Sequence, residues 1–287
     1  FKRNPFSKRH TITGGYYVDT SSFDVDYEGE FANSIGDSNL NIGLRVTSPN
    51  FTENYFGYGN ETSNLEDTEN LEFNRIELQT ITAKAGLVRN SSFGIIYRFQ
   101  TRFDAVRLND TNTNLYLDKG NVELNDTNYF ATAEGIFTYR SFDNPLNPAR
   151  AMLFDLSLGI TENLENLDNI YGYLKTRVAF YNALTSNEKL VLKTNIQSAF
   201  NFGNKFEFYQ GVHAGADTGL RGYRRNRFTG KSALVGSADV RYSFEDFRIE
   251  LFPIQLGIYV GADLGRVWTP DDASQKWHNS RGGGHWV

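Results

Sequence analysis

The chain of 287 residues contains no cysteine, one methionine and six prolines. Without cysteine there is no disulfide framework and no thiolate metal site. That absence fits an oxidising envelope compartment. No stretch approaches the roughly 18 consecutive apolar residues of a membrane helix, which excludes helical membrane spans. A polar average does not exclude a membrane barrel, because half of every barrel strand faces water. Net charge is −5, so a nucleic-acid partner is not indicated. The histidines, His10, His213, His278 and His285, are scattered without metal spacing. Nucleophile-elbow, phosphate-loop and dinucleotide signatures are missing too. We therefore expect no enzyme, no metal and no cofactor. Phe1–His10 is polar and basic, unlike a signal peptide, and the chain starts without Met. It reads as an internal fragment of a longer precursor.

What the sequence does have is alternation. From Phe252 to Leu264 the even positions are Phe252, Ile254, Leu256, Ile258, Val260, Ala262 and Leu264. The odd positions are Pro253, Gln255, Gly257, Tyr259, Gly261 and Asp263. Successive side chains of a strand point to opposite faces, so this predicts one long strand with an apolar and a polar face. Thirteen residues at about 3.3 Å each span roughly 40 Å, a transmembrane length and about twice an ordinary strand. Similar alternation occurs at Ser22–Phe31, Asn39–Val46, Phe93–Ala105, Tyr129–Tyr139, Met152–Ile160, Ile170–Phe180, Leu190–Phe200 and Leu234–Phe244. His10–Val18 is weaker. Glu72–Val88 slips near Thr80, where we expect a bulge. That makes about eleven strands. Short turns at Ser34–Asp37, Asn90–Ser92, Asn144–Arg150 and Thr185–Lys189 alternate with longer loops at Thr47–Leu71, Asn109–Asn128 and Asn201–Gly230. Short turns on one side and long loops on the other belong to an outer-membrane barrel. The 16 Tyr and 23 Phe suit its aromatic girdles. A soluble β-sandwich alternates as well, but with strands of 5–6 residues. The fold class expected is all-β, a transmembrane antiparallel β-barrel.

The longest loop carries Leu220-Arg221-Gly222-Tyr223. Asp239-Val240-Arg241 follows on the next strand, and Asp263-Leu264-Gly265 on the one after. In order and spacing this resembles the outer-membrane barrel superfamily of BamA, TamA and the two-partner secretion transporters, also called the bacterial surface antigen family. That family has a Val-Arg-Gly-Phe/Tyr loop tip folded into the lumen, an acidic-x-Arg element and an Asp-x-Gly element. Leu220 replaces the usual Val here, and Asp239 the more usual Glu or Asn. The resemblance is clear from about Asp143 to Val287, where Asn144–Arg150 resembles the family's Pro-containing turn. It implies a barrel of sixteen strands in the full protein, of which residues 1–287 would supply 11–12, incomplete at both ends. POTRA or other N-terminal soluble domains would lie outside the chain.

On that resemblance Arg221 is expected to reach Asp239 and Asp263 as a bidentate clasp. Gly222 would let the backbone turn, Tyr223 would anchor on the wall, and Arg241 would share the inward face. Arg224, Arg225 and Arg227 read as solvated loop charge, with binding of lipopolysaccharide phosphates or of an acidic substrate segment the other reading. Asp110–Asn114 begins like a calcium loop but has Leu115 where Gly is required. The resemblance implies assembly or translocation of proteins in the Gram-negative cell outer membrane, by strand addition at a lateral seam. A two-partner-secretion export pore is an alternative. So is a membrane anchor for an N-terminal patatin-like or metallophosphoesterase hydrolase. The partners implied are the lipid bilayer with lipopolysaccharide, an unfolded or secreted substrate protein, and periplasmic or lipoprotein accessory subunits.

Overall fold

The computed structural model describes residues 7–64, 73–109, 126–203, 205–245, 247–249, 252–270 and 273–286. Among them the regular structure is almost entirely strand. In chain order these are β1 (Lys8–Tyr17), β2 (Ser22–Ile35), β3 (Ser38–Thr47), β4 (Thr52–Asn54), β5 (Arg75–Asn90) and β6 (Ile95–Asn109). Then come β7 (Thr127–Phe142), β8 (Ala151–Asn163), β9 (Ile170–Ala183), β10 (Leu190–Phe202), β11 (Val212–Ala214) and β12 (Phe228–Gly230). The last five are β13 (Ser232–Ser243), β14 (Phe247–Ile249), β15 (Phe252–Ile254), β16 (Gly257–Trp268) and β17 (His278–Trp286).

One antiparallel sheet dominates. Its path runs β1-β2-β3-β5-β6-β7-β8-β9-β10-β13-β16-β17, and the short β4 joins it by pairing with β5. Strands on this path are 9 to 16 residues long. Neighbours in sequence are neighbours in space wherever the connection is a hairpin, as an up-and-down wall requires. The path has two ends, β1 and β17.

The two faces of the sheet differ in chemistry. One face carries polar pairs, within a strand, between neighbouring strands and across an intervening one. Lys84 Nζ donates to Glu28 Oε1 at 2.7 Å, and Arg102 Nε to Asp104 Oδ2 at 2.7 Å. Glu134 accepts from Gln100 Nε2 at 2.6 Å and from Ser157 Oγ at 2.7 Å. The opposite face exposes Phe99 (62%), Ile196 (56%) and Val260 (66%) in a broad apolar surface. An apolar area of that extent is stable only against lipid or a large partner. The polar side is called the inner face below, because the longest loop packs on it.

Four details depart from the sequence reading. Phe252–Leu264 is not one strand. β16 begins at Gly257, and β15 belongs to a separate two-stranded ribbon with β14. Phe244 N–H donates to Leu256 O, so the ribbon continues the β13–β16 pair past a register slip. Phe244 meets Leu256 and Phe247 pairs with Ile254, so the register shifts by one residue between the two pairs, as at a bulge. Alternation cannot register such a bulge, since the apolar period runs straight through it. Next, β5 holds an unbroken register with β6 from Glu77↔Asn109 to Asn90↔Ile96, so Thr80 carries no bulge in that ladder. The irregularity lies in its other partner, where β3 ends at Thr47 and β4 takes over at Thr52↔Glu77. Thr47 Oγ1 fills the gap by accepting from the Thr80 N–H at 2.7 Å. A register shift also occurs between Phe31 and Ile35 in β2, where none was expected. Finally, β5 starts at Arg75; Glu72 and the Asp110–Asn114 segment lie outside the described residues.

Candidate functional site: the in-folded loop

The segment between β10 and β13 lies on the inner face instead of leaving the sheet. It is pinned by a small apolar core. Val212, Ala214, Leu220 and Phe228 from the loop pack with Ala233 and Val235 of β13 and Val267 of β16. Leu220 and Val267 are fully buried. Folding the tip back requires a tight reversal. The Leu220 N–H donates to Gly215 O at 2.9 Å, and the Ala216 N–H to Arg224 O at 3.3 Å. Gly222, just past the tip, has φ +79, which L side chains rarely adopt.

The tip residue is Arg221, and the wall holds it on three sides. Its Nε donates to Asp263 Oδ2 at 2.8 Å and its Nη2 to Asp263 Oδ1 at 2.5 Å. Its backbone N–H adds a third bond to Asp263 Oδ2 at 3.0 Å. Nη1 lies 2.7 Å from Asp239 Oδ1 as an ion pair, although that oxygen has no aligned hydrogen-bond donor. Ser280 Oγ of β17 completes Asp263 with a 2.7 Å hydrogen bond. The Asp263 side chain is entirely buried, so its charge is tolerated only because these donors surround it. The hydrogen bonds to Asp263 are the main reason the guanidinium is held still further above its ordinary range, with Asp239 adding to them.

Gly261 makes room for this arrangement, and Gly282 lies beside it. Gly261 and Gly282 are register partners on β16 and β17, and Asp239 of β13 pairs with Gly261. A Cβ at Gly261 would stand 2.0 Å from Asp239 Oδ1 and 2.6 Å from Arg221 Nη2. At Gly282 it would stand 3.4 Å from Arg221 Cδ. The guanidinium therefore lies against bare backbone, and one loop residue joins β13, β16 and β17.

Tyr223 extends the attachment to β17. Its hydroxyl donates to Asn279 O at 3.2 Å, and its ring packs edge-on against Phe228 and His278. Phe228 and His278 stack with centroids 3.6 Å apart. Arg241 is not part of the tip. It donates to Asn147 Oδ1 in the β7–β8 turn and lies over the rings of Tyr181 and Trp286. It shares Asp239's face but sits one pleat repeat, about 7 Å, nearer the short-turn end.

Of the neighbouring arginines, Arg224 and Arg225 are exposed, and Arg227 departs from the solvated reading. Arg227 Nη1 donates to Thr62 Oγ1 at 2.7 Å and its Nη2 to Thr62 O at 2.5 Å, with the guanidinium between the rings of Phe56 and Phe228. Through it the long loop is tied to the β4–β5 segment, which crosses the same end of the sheet. Gly59 N–H donates to Thr229 O at 2.8 Å. Asn60, buried at 1% exposure, donates from Nδ2 to Val267 O at 2.8 Å, and its Oδ1 accepts from the Val267 N–H at 3.1 Å. His213 faces Thr229 Oγ1 at 3.1 Å, and burial pushes its imidazole down to about 4. Nothing in the sequence marks Asn60, which lies on no alternating strand. Gly261 and Gly282 carry one faint signal, both being inward-facing strand glycines.

The Omp85 superfamily domain matches residues 27–284. The crystal structure of BamA from Haemophilus ducreyi lacking POTRA domains 1–3 is similar, with a TM-score of 0.68 at 15% identity. The likeness covers 92% of this chain and 56% of that one, so the chain spans a little over half the length of that relative. No curated protein matches by sequence. At that identity the likeness shows the fold, a transmembrane antiparallel β-barrel.

Proposed function

The chain belongs to the Omp85 superfamily, and on that premise we propose that it is the barrel wall of an outer-membrane machine that inserts or translocates other proteins. The long-loop end faces the outside and the short turns the periplasm. Substrate strands add to the backbone at a seam near the ends of the β1–β17 path, where main-chain hydrogen bonds supply affinity and no catalytic side chain is needed. The proposed role of the tip is to set the position of β17 relative to β13 and β16. The observation that carries this is the three-strand attachment of Arg221, on Asp239 and Asp263 and against Gly282. A loop fixed in this way holds one margin of the wall rigid while the seam beside it exchanges partners.

The test is reconstitution of the full-length protein in liposomes. Insertion of an unfolded outer-membrane barrel is followed by protease protection, with and without Arg221→Ala. Acceleration over empty liposomes, reduced by the substitution, is expected. No acceleration by the wild type would remove the insertion reading.

One observation favours an export pore as the second reading. A cavity of about 690 Å³ separates the loop from the inner face of β6–β10, with Arg102, Tyr173, Lys175, Tyr209 and His213 in its lining. A chamber of mixed charged and apolar lining beside an in-folded loop suits passage of an extended chain. Planar-bilayer conductance that rises sharply when residues 205–230 are replaced by a short linker would support it.

A further inference from the structure

At the long-loop end, β16 and β17 carry an unusual outer face. The apolar row Ile258, Val260 and Leu264, each 45% exposed or more, stops abruptly at Arg266. Arg266 shares that outer face by the strand period and pairs with Leu234 of β13. Its guanidinium lies 4.6 Å from the ring of Trp268 and 5.6 Å from that of Trp277. The two indoles are perpendicular, 6.0 Å apart. Nη2 donates to Ser274 O at 2.7 Å, and Nε has no partner. Arg266 is only 9% exposed, yet among the described residues no carboxylate lies within ion-pair distance. Glu61 is occupied by Lys276 Nζ at 3.0 Å and Ser274 Oγ at 2.9 Å.

The neighbouring strand repeats the anomaly. The outward positions of β17 are Asn279, Arg281, Gly283 and His285, all exposed. Among the described residues Arg281 makes no hydrogen bond or ion pair, and it stands opposite Ala262 inside the apolar band. A lipid-facing arginine at that depth is costly unless its long stem carries the head up to the interface. The upward direction leads past Asn279 to the level of Arg266 and the two tryptophans, where amphipathic indoles are at home. A buried guanidinium with no counter-charge among the described residues can take one from a bound anion.

We infer that Arg266, Trp268, Trp277, Asn279 and Arg281 form a binding site for a phosphate-bearing lipid headgroup in the outward-facing leaflet. Arg266 and Arg281 hold the phosphate oxygens by charge-assisted hydrogen bonds, and the indoles flank the headgroup and upper acyl chain. The site lies on the back of the strands whose inner faces hold Arg221, so a bound lipid would brace the same margin of the wall. This rests on the reading of the outer face as lipid-facing.

The test uses the protein in zwitterionic phosphatidylcholine nanodiscs, with Trp286→Phe so that Trp268 and Trp277 are the emitters within residues 1–287. Lipopolysaccharide, phosphatidylglycerol or inorganic phosphate is added in separate series. A saturable change in tryptophan emission with the phosphate lipids is expected. The double variant Arg266→Gln, Arg281→Gln should weaken it about tenfold or more, and the double lysine variant should recover part. Response to inorganic phosphate alone would mark a free-anion site and overturn the headgroup assignment. Equal binding by wild type and the glutamine variant would overturn the site while leaving the barrel intact. Heat-modifiable migration of each variant on gels reports separately whether the barrel has folded in the bilayer.

Discussion

Asn60 and Val267 are 207 positions apart and pair as two strands would, through the Asn60 side chain in place of a backbone. β17 first pairs with β16 at Gly265, so the top of β16 runs beyond its partner. Asn60 supplies the donor and the acceptor that the absent partner would have given, and it comes from the β4–β5 segment on the far side of the sheet.

Replacing Asn60 by Ala leaves the buried N–H and C=O of Val267 without partners, at a cost of about 1–3 kcal/mol. The loss should be local. Amide hydrogen exchange is expected to rise at residues 52–62 and 205–230 while the wall strands keep their protection. Unchanged exchange at both segments would show that the tie has no mechanical role.

Removing the Arg221 guanidinium strands the Asp263 carboxylate in a fully buried position. Breaking a buried pair from one side typically costs about 3–5 kcal/mol. Because Arg221 itself is partly exposed, the lower end of that range applies to Arg221→Ala. Lysine should not restore it, since one ammonium cannot reproduce the fork that meets two carboxylates. Urea unfolding followed by gel mobility measures the difference, and full rescue by Arg221→Lys would contradict the fork geometry.

The strand glycines allow a finer test of the same clasp. Gly261→Ala forces a Cβ to within 2.0 Å of Asp239 Oδ1 and should displace the guanidinium as thoroughly as Arg221→Ala does. Gly282→Ala makes only an ordinary contact with Arg221 Cδ and should leave stability nearly unchanged. Equal effects at the two positions would mean that the cradle is not what these glycines are for.

Much of this was legible in the chain, for a physical reason. A wall one strand thick between lipid and water must alternate at every residue, so the strands and their faces could be read directly. The Leu220–Tyr223 tip and the two acids stood out through their resemblance to a known family. Parity fixes a face but not a height, and for that reason Arg241 was grouped with a tip it does not reach. Alternation is equally blind to bulges. The Phe252–Leu264 period continues through a slip between Phe244 and Phe247, and the irregularity near Thr80 belongs to β3 and β4. Asn60 and His278 act through partners set by loop closure across the sheet, and no local pattern encodes such a contact.

Acid should loosen the in-folded loop through His213. Burial lowers the folded pKa to about 4 from an ordinary 6.5, with nearby Lys175 lowering it further and Asp217 opposing. The released loop takes up a proton that the packed loop refuses. Between those two values the released state therefore binds more protons, and packing weakens as pH falls from about 6.5 toward 4. Above 6.5 both states are neutral and no dependence remains. The sign is opposite to that of a histidine held by a carboxylate, which would tighten on acidification. Exchange protection of residues 205–230 at pH 7.5 and pH 4.5, corrected for intrinsic rates, should fall in the wild type. His213→Asn, which retains a polar group facing Thr229 but cannot titrate, should abolish most of that fall. An undiminished pH response in the variant would move the acid sensitivity to another group.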